Sequence, residues 1–166
     1  MQPIDTSSQV VEVLPHPLPY FSLVLDGPQV WREILPGQFV MVETTDGLEP
    51  YLRRAFSVHD VSKTDRGARI ELLVKVVGPG TRALAGKRPG ERLAVLGPLG
   101  RPFGSAGASA PAPAPADAAD NGRHATPGGA PDTRPVALVA GGVGSAPLLL
   151  LGRRLLAEGT SFDFYY

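Results

Sequence analysis

Cysteine is missing from all 166 residues. That one absence excludes disulfides and removes the thiolate ligands of zinc and iron–sulfur sites. Histidine is scarce, and His16, His59 and His124 stand far apart in unlike surroundings. A zinc site needs about three or four convergent ligands, so no metal site made by this chain is expected. Charge of one sign is lacking as well: 16 Lys and Arg offset 16 Asp and Glu, with no block of like charge. This pattern speaks against a nucleic-acid groove or a polybasic membrane patch. No apolar run approaches the roughly 20 residues of a membrane span, and the start Met1-Gln2-Pro3-Ile4-Asp5 lacks the basic-then-apolar order of a signal peptide. The composition points to a cytoplasmic protein with no nucleic-acid or membrane partner and a small, uncharged or anionic ligand.

Turn residues are abundant, with 20 Gly and 18 Pro. In the first hundred residues they separate six short runs rich in β-branched or aromatic side chains, at 10–14, 20–25, 38–43, 55–59, 70–77 and 92–96. Pro15, Pro17 and Pro19, then Asp26-Gly27-Pro28, Pro36-Gly37, Asp46-Gly47, Asp65-Arg66-Gly67 and Pro89-Gly90 bound them. Six strands at this spacing predict a small closed or nearly closed antiparallel barrel over 9–103, because closure removes exposed edges. One short helix interrupts them at 81–85, and residues 1–8 read as a tail.

From 104 to 134 the chain is dominated by Ala, Pro and Gly, without a single Val, Ile, Leu, Met, Phe, Trp or Tyr. Such a stretch buries too little apolar surface to offset its conformational entropy, so a disordered or extended insertion is expected. After it the pattern changes. Residues 135–140 form a continuous apolar run of the kind found in a parallel strand buried on both faces. Gly141-Gly142-Val143-Gly144 follows, then helical composition over 147–158, Gly159 as a helix stop, and a further strand at 162–166.

Three strings carry candidate chemistry. Arg54-Ala55-Phe56-Ser57 offers a guanidinium for phosphate, an aromatic surface and a small donor, although a barrel strand with a surface arginine and a core phenylalanine reads the same way. Strand alternation puts Arg54 and Phe56 on one face and, of the two adjacent arginines, favours Arg54 for the phosphate. Gly78-Pro79-Gly80-Thr81 closes a strand and opens a helix, a place where backbone amides and the Thr81 hydroxyl can meet an anion. Gly141-Gly142-Val143-Gly144-Ser145-Ala146-Pro147 sits between a buried strand and a helix, the context of a dinucleotide turn. It departs from G-x-G-x-x-G at Pro147, which suits a first helical position. Trp31 reads as packing, and His59 as structural.

In this order the strings resemble a family, the ferredoxin-reductase-like flavoproteins, which join an FAD barrel to a nicotinamide-nucleotide domain. The resemblance runs from Pro36-Gly37-Gln38-Phe39-Val40-Met41-Val42 through Leu52-Arg53-Arg54-Ala55-Phe56-Ser57-Val58-His59-Asp60-Val61 and Val76-Val77-Gly78-Pro79-Gly80-Thr81 to Val95-Leu96-Gly97-Pro98-Leu99-Gly100-Arg101-Pro102-Phe103 and the Gly141 turn. Within the family it leans toward electron-transfer subunits of dihydroorotate dehydrogenase.

The resemblance implies an all-β six-stranded antiparallel FAD-binding barrel followed by an incomplete α/β nucleotide-binding domain, β-α-β only, over 135–166. It implies FAD contacts at Arg54, Ala55, Phe56 and Ser57, with Leu73, Val74 and Lys75 bordering the cofactor and Gly80 and Thr81 at its diphosphate. NAD(H), as co-substrate, would approach Gly142, Val143 and Gly144. No catalytic side chain is needed, since flavin chemistry carries the reaction. The implied role is a flavin-dependent oxidoreductase subunit in pyrimidine biosynthesis, passing electrons between a nicotinamide nucleotide and a catalytic dihydroorotate dehydrogenase partner in a hetero-oligomer. Family members end in a cysteine-rich region that ligates a [2Fe–2S] cluster; this sequence has no cysteine and stops at Tyr166, so a truncated product is expected. The alternatives are a reductase subunit of a hydrogenase or ferredoxin:NADP oxidoreductase complex, and a barrel without a redox role.

Overall fold

The computed structural model describes residues 2–45, 52–104 and 136–166. The Ala/Pro/Gly-rich segment therefore lies outside the described residues, apart from Gly104. Among the described residues no helix is long and apolar enough to cross a membrane.

Alternation and turns produce the first unit. Strands β1 (Ile4–Pro15), β2 (Tyr20–Gly27), β3 (Phe39–Val42), β4 (Arg54–Ser57), β5 (Asp60–Thr64), β6 (Gly67–Lys75) and β7 (Arg92–Leu99) form one antiparallel sheet in the order β4-β3-β7-β1-β2-β6-β5. The sheet curls until β4, at one end, contacts β6, one strand in from the other. No ladder joins that pair, so the barrel keeps a seam.

Every second side chain of each strand points inward. Leu23 and Leu25, Val40 and Val42, Ile70, Leu72 and Val74, and Leu93 and Val95 are buried in one core with Val10, Trp31 and Leu84. Each such side chain contributes about 1.5–3 kcal/mol relative to exposure. Trp31 lies on a 3-10 turn, Gln29–Glu33, that folds over Gly27. A Cβ on Gly27 would stand 2.0 Å from the indole, so only glycine lets the ring close that end of the core.

Two expectations are corrected here. The sheet has seven strands, because Asp60–Thr64 pairs with β6 across the turn at Asp65 and Arg66. Only Val61 in it is apolar, and an edge strand is free to carry charge in place of an alternating apolar face. Residues 4–8 are no tail: they form the first half of β1 and pair with β7 from Ile4↔Gly97 to Ser8↔Leu93. Of those five residues only Ser8 is buried, so the segment shows no apolar period.

The second unit is β8 (Val136–Val139), a 3-10 turn (Gly142–Ser145), helix α2 (Leu148–Ala157) and β9 (Phe162–Tyr165). β8 and β9 run parallel, Val136 opposite Phe162 and Val139 opposite Tyr165, so the chain must cross over through α2. The helix lies close to the sheet at Gly152, where a Cβ would come within 2.8 Å of the Phe162 ring. The expected burial on both faces does not hold in this chain. Leu138 is buried, while Val139 is 73 % exposed.

Candidate functional site

A cleft of about 440 Å³ lies along the open seam of the barrel. Its walls are β4, the end of β6, the chain leading into helix α1 (Pro79–Ala85), and the second unit's 3-10 turn.

Each wall follows from the local sequence. β4 is an edge strand, so one row of its backbone N–H and C=O groups has no ladder partner. Its register sets Phe56 opposite Val40 and Arg54 opposite Val42. Both valines are fully buried, so Phe56 turns inward and packs on the core while Ala55 and Ser57 take the other face. All four residues nonetheless line the cleft, which runs along the strand's free edge.

The two arginines separate cleanly. Arg53 Nη2 donates to Asp5 Oδ2 at 2.9 Å and lies 3.9 Å from Glu43, committed to carboxylates away from the cleft. Arg54 lines the cleft, and its Nη1 donates to the Leu52 carbonyl at 2.5 Å. Among the described residues Arg54 has no carboxylate partner. Across the cleft stands Lys75, exposed, with Nζ 5.8 Å from the centroid of the Tyr20 ring. Among the described residues no Asp or Glu lines the space, so both cations face it without a described carboxylate opposite.

At α1 the first helical hydrogen bond runs from Arg82 N–H to the Gly78 carbonyl. The N–H groups of Gly80 and Thr81 precede it and have no acceptor within the helix. The Thr81 hydroxyl is engaged within its own turn. It accepts from the N–H groups of Val77 (2.9 Å) and Gly78 (3.1 Å) and donates to the Gly78 carbonyl (3.1 Å). Two lone pairs and one proton are thereby used in shaping the turn, which leaves Thr81 its backbone N–H for a ligand.

The residues singled out from the sequence fall into one place with two exceptions. Arg54, Ala55, Phe56, Ser57, Leu73, Val74, Lys75, Gly80, Thr81 and Val143 all line the cleft, and Gly142 and Gly144 do not. Gly142 has φ +54 and sits beside the Tyr20 hydroxyl, 3.7 Å from where its Cβ would be. Gly78, Pro79 and Ala146, within the candidate strings but given no contact of their own, line the cleft too, and so does Val77, which lies outside those strings. Val77 is marked only afterwards, as a valine 74 % exposed just past the end of β6. His59 stays out of the cleft and bonds to the Ala146 carbonyl instead.

Chemically, the cleft offers cations and free amides to an anion, and an aromatic and aliphatic wall to a flat apolar group. It holds no nucleophile paired with a base. The class to which the fold belongs is given by comparison. The family model for the oxidoreductase FAD-binding domain matches residues 9–103, and the chain belongs to that family.

Curated relatives carry the comparison past the barrel. The chain is 36% identical over 135 residues to the dihydroorotate dehydrogenase B (NAD(+)) electron transfer subunit of Desulforamulus reducens, covering 81% of this chain and 42% of the relative. It is 37% identical over 140 residues to the subunit of the same name from Geobacillus sp. (strain WCH70), covering 84% and 45%. The chain thus spans less than half the length of these relatives. Among solved structures, the NADH-dependent reduced ferredoxin-NADP oxidoreductase aligns with a TM-score of 0.70 at 26% identity, over 95% of this chain and 46% of that one. Phthalate dioxygenase reductase shares the fold, with a TM-score of 0.67 at 20% identity, over 98% and 43%.

Proposed function

We propose that this chain is the flavin-carrying part of an electron-transfer subunit, one that passes electrons from a nicotinamide nucleotide through FAD to a catalytic dihydroorotate dehydrogenase partner. The observation that carries the reading is the seam cleft, in which an unopposed arginine, an aromatic strand and free helix-start amides meet in a chain that belongs to an FAD-binding family. The names of the relatives, electron transfer subunits of dihydroorotate dehydrogenase B, support the choice of partner.

The residues fit the cofactor. FAD carries a diphosphate, which needs cations and N–H donors: Arg54, with the amides of Gly80 and Thr81, supplies them, and Lys75 adds a second charge. Its ring system needs a flat apolar bed, available at Phe56, Leu73 and Val74. When bound, a flavin supplies the ability to take two electrons from a nicotinamide and release them singly. The protein's own part is to bind, orient and exclude water. Val143 and Ala146 close the side from which the second unit approaches, and that β-α-β unit carries the glycine turn offered to a nicotinamide nucleotide. A [2Fe–2S] cluster finds no thiolate in this sequence, so any such cluster must be ligated elsewhere. A reductase subunit of another complex is the second reading, favoured by the 0.70 TM-score to the ferredoxin-NADP oxidoreductase. Co-purification with a catalytic dihydroorotate dehydrogenase separates the two.

The test is cofactor binding. Purified chain titrated with FAD should take up one flavin and show its bands in the near ultraviolet and blue. Arg54→Ala should weaken FAD by about 1.5–3 kcal/mol, the worth of a charge-assisted hydrogen bond, measured by calorimetry. No flavin uptake by the wild-type chain would overturn the reading, and unchanged affinity in the variant would remove Arg54 from the site.

A further inference from the structure

We propose that His59 is a positioning residue, whose hydrogen bond to the Ala146 carbonyl holds the 3-10 turn Gly142–Ser145 in place as a wall of the cofactor cleft. The identity of the cofactor rests on the reading above; the latch itself does not.

The geometry is that of a short bridge. β2, β6 and β5 are neighbours in the sheet, and the turn packs on β6. One end of the turn, Gly142, rests beside the hydroxyl of Tyr20, the first residue of β2. Its other end is fastened by His59, the residue before β5, with Nδ1 2.6 Å from the Ala146 carbonyl oxygen. Val143, between the two anchors, and Ala146 are the second unit's whole contribution to the cleft.

A carbonyl oxygen only accepts, so Nδ1 carries the proton in this bond. The His59 backbone is itself fixed, its N–H donating to the Glu71 carbonyl at 2.8 Å, so the ring is aimed from the barrel. A second fastener follows at once: Asp60 Oδ2 pairs with Arg153 Nη1 of α2. Arg153 is 60% exposed and Asp60 13%, so water screens the arginine end of that pair. The histidine bond is the one that reaches the turn itself. Because His59 does not itself line the cleft, it acts only through the wall residue that it holds.

The full chain, free and FAD-loaded, provides the test, with His59→Ala and His59→Asn as variants. The asparagine amide can present an N–H where Nδ1 stands. Amide hydrogen exchange at Gly144, Ser145 and Ala146 reads the wall directly, without cofactor. In His59→Ala these amides should exchange faster while those of β2 and β6 keep their protection, and FAD should dissociate about two- to tenfold faster, the range one neutral hydrogen bond gives. His59→Asn should restore both. Unchanged exchange in His59→Ala would overturn the latch. So would protection lost throughout the barrel, or failure of His59→Asn to rescue, since His59 would then be ordinary packing. Absence of FAD binding in wild type would sink the functional reading while the exchange still judged the latch.

Discussion

The barrel and the β8-α2-β9 unit meet at the same cleft but differ in how each is held. In the barrel each central strand has two ladder neighbours and turns one face to a common core, and Leu23, Leu25, Val40, Val42, Ile70, Leu72 and Val95 have no exposure at all. In the second unit two strands share one helix, and Leu138, Ala146 and Leu155 are its buried apolar residues. Phe164 is 48% exposed and Tyr166 80%. The difference assigns the roles. The densely packed part carries the cations and amides proposed to hold the ligand, and the lightly packed part supplies two residues of wall.

The largest effect should come from breaking the densely packed side. Leu72→Ala removes a fully buried side chain from β6, the strand that also presents Leu73, Val74 and Lys75 to the cleft. A loss of about 2–5 kcal/mol in unfolding free energy is expected, with flavin affinity falling alongside. Trp31, the single tryptophan, is fully buried in the barrel, so its fluorescence in a urea titration reports this unfolding. The matching change on the weaker side is Leu155→Ala in α2. It should cost the second unit about 2 kcal/mol or more and accelerate amide exchange along β8 and β9, yet leave the Trp31 transition where it was. A shift of that transition in step with the exchange would show that the two regions unfold as one, and the comparison would fall.

What was legible in the sequence follows the same division. β2, β3, β4, β6 and β7 could be read as β-branched and aromatic runs between turn residues, because half-buried strands favour those side chains. The polar edge strand Asp60–Thr64 and the polar start of β1 could not, since both are held by ladder hydrogen bonds that any sequence can make. Arg54 could be preferred over Arg53 from period two alone. That Thr81 would spend its hydroxyl within its own turn was hidden, because a free and an engaged threonine read alike. The His59 anchor was hidden for a related reason: its acceptor is a backbone carbonyl, and every residue has one. The meeting of β4 with β6 is a matter of sheet closure, on which local pattern is silent.

The smallest expected effect is also the sharpest check on how the site divides neighbouring charges. Arg53→Ala removes an ion pair with Asp5 whose arginine side chain is 26% exposed and whose aspartate is 56% exposed. Pairs so open to water are worth about 0–1 kcal/mol, less at high salt. The strand start at Asp5 should fray slightly, seen as faster exchange near Ile4 to Thr6, where β1 pairs with β7. Flavin affinity should not change, because the guanidinium points to Asp5 and Glu43 and leaves Arg54 to face the cleft. An Arg53→Ala variant that lost flavin as strongly as Arg54→Ala would mean that the cleft draws on the field of both cations. The clean partition between a structural arginine and a ligand-facing one would then give way to a shared positive edge on β4.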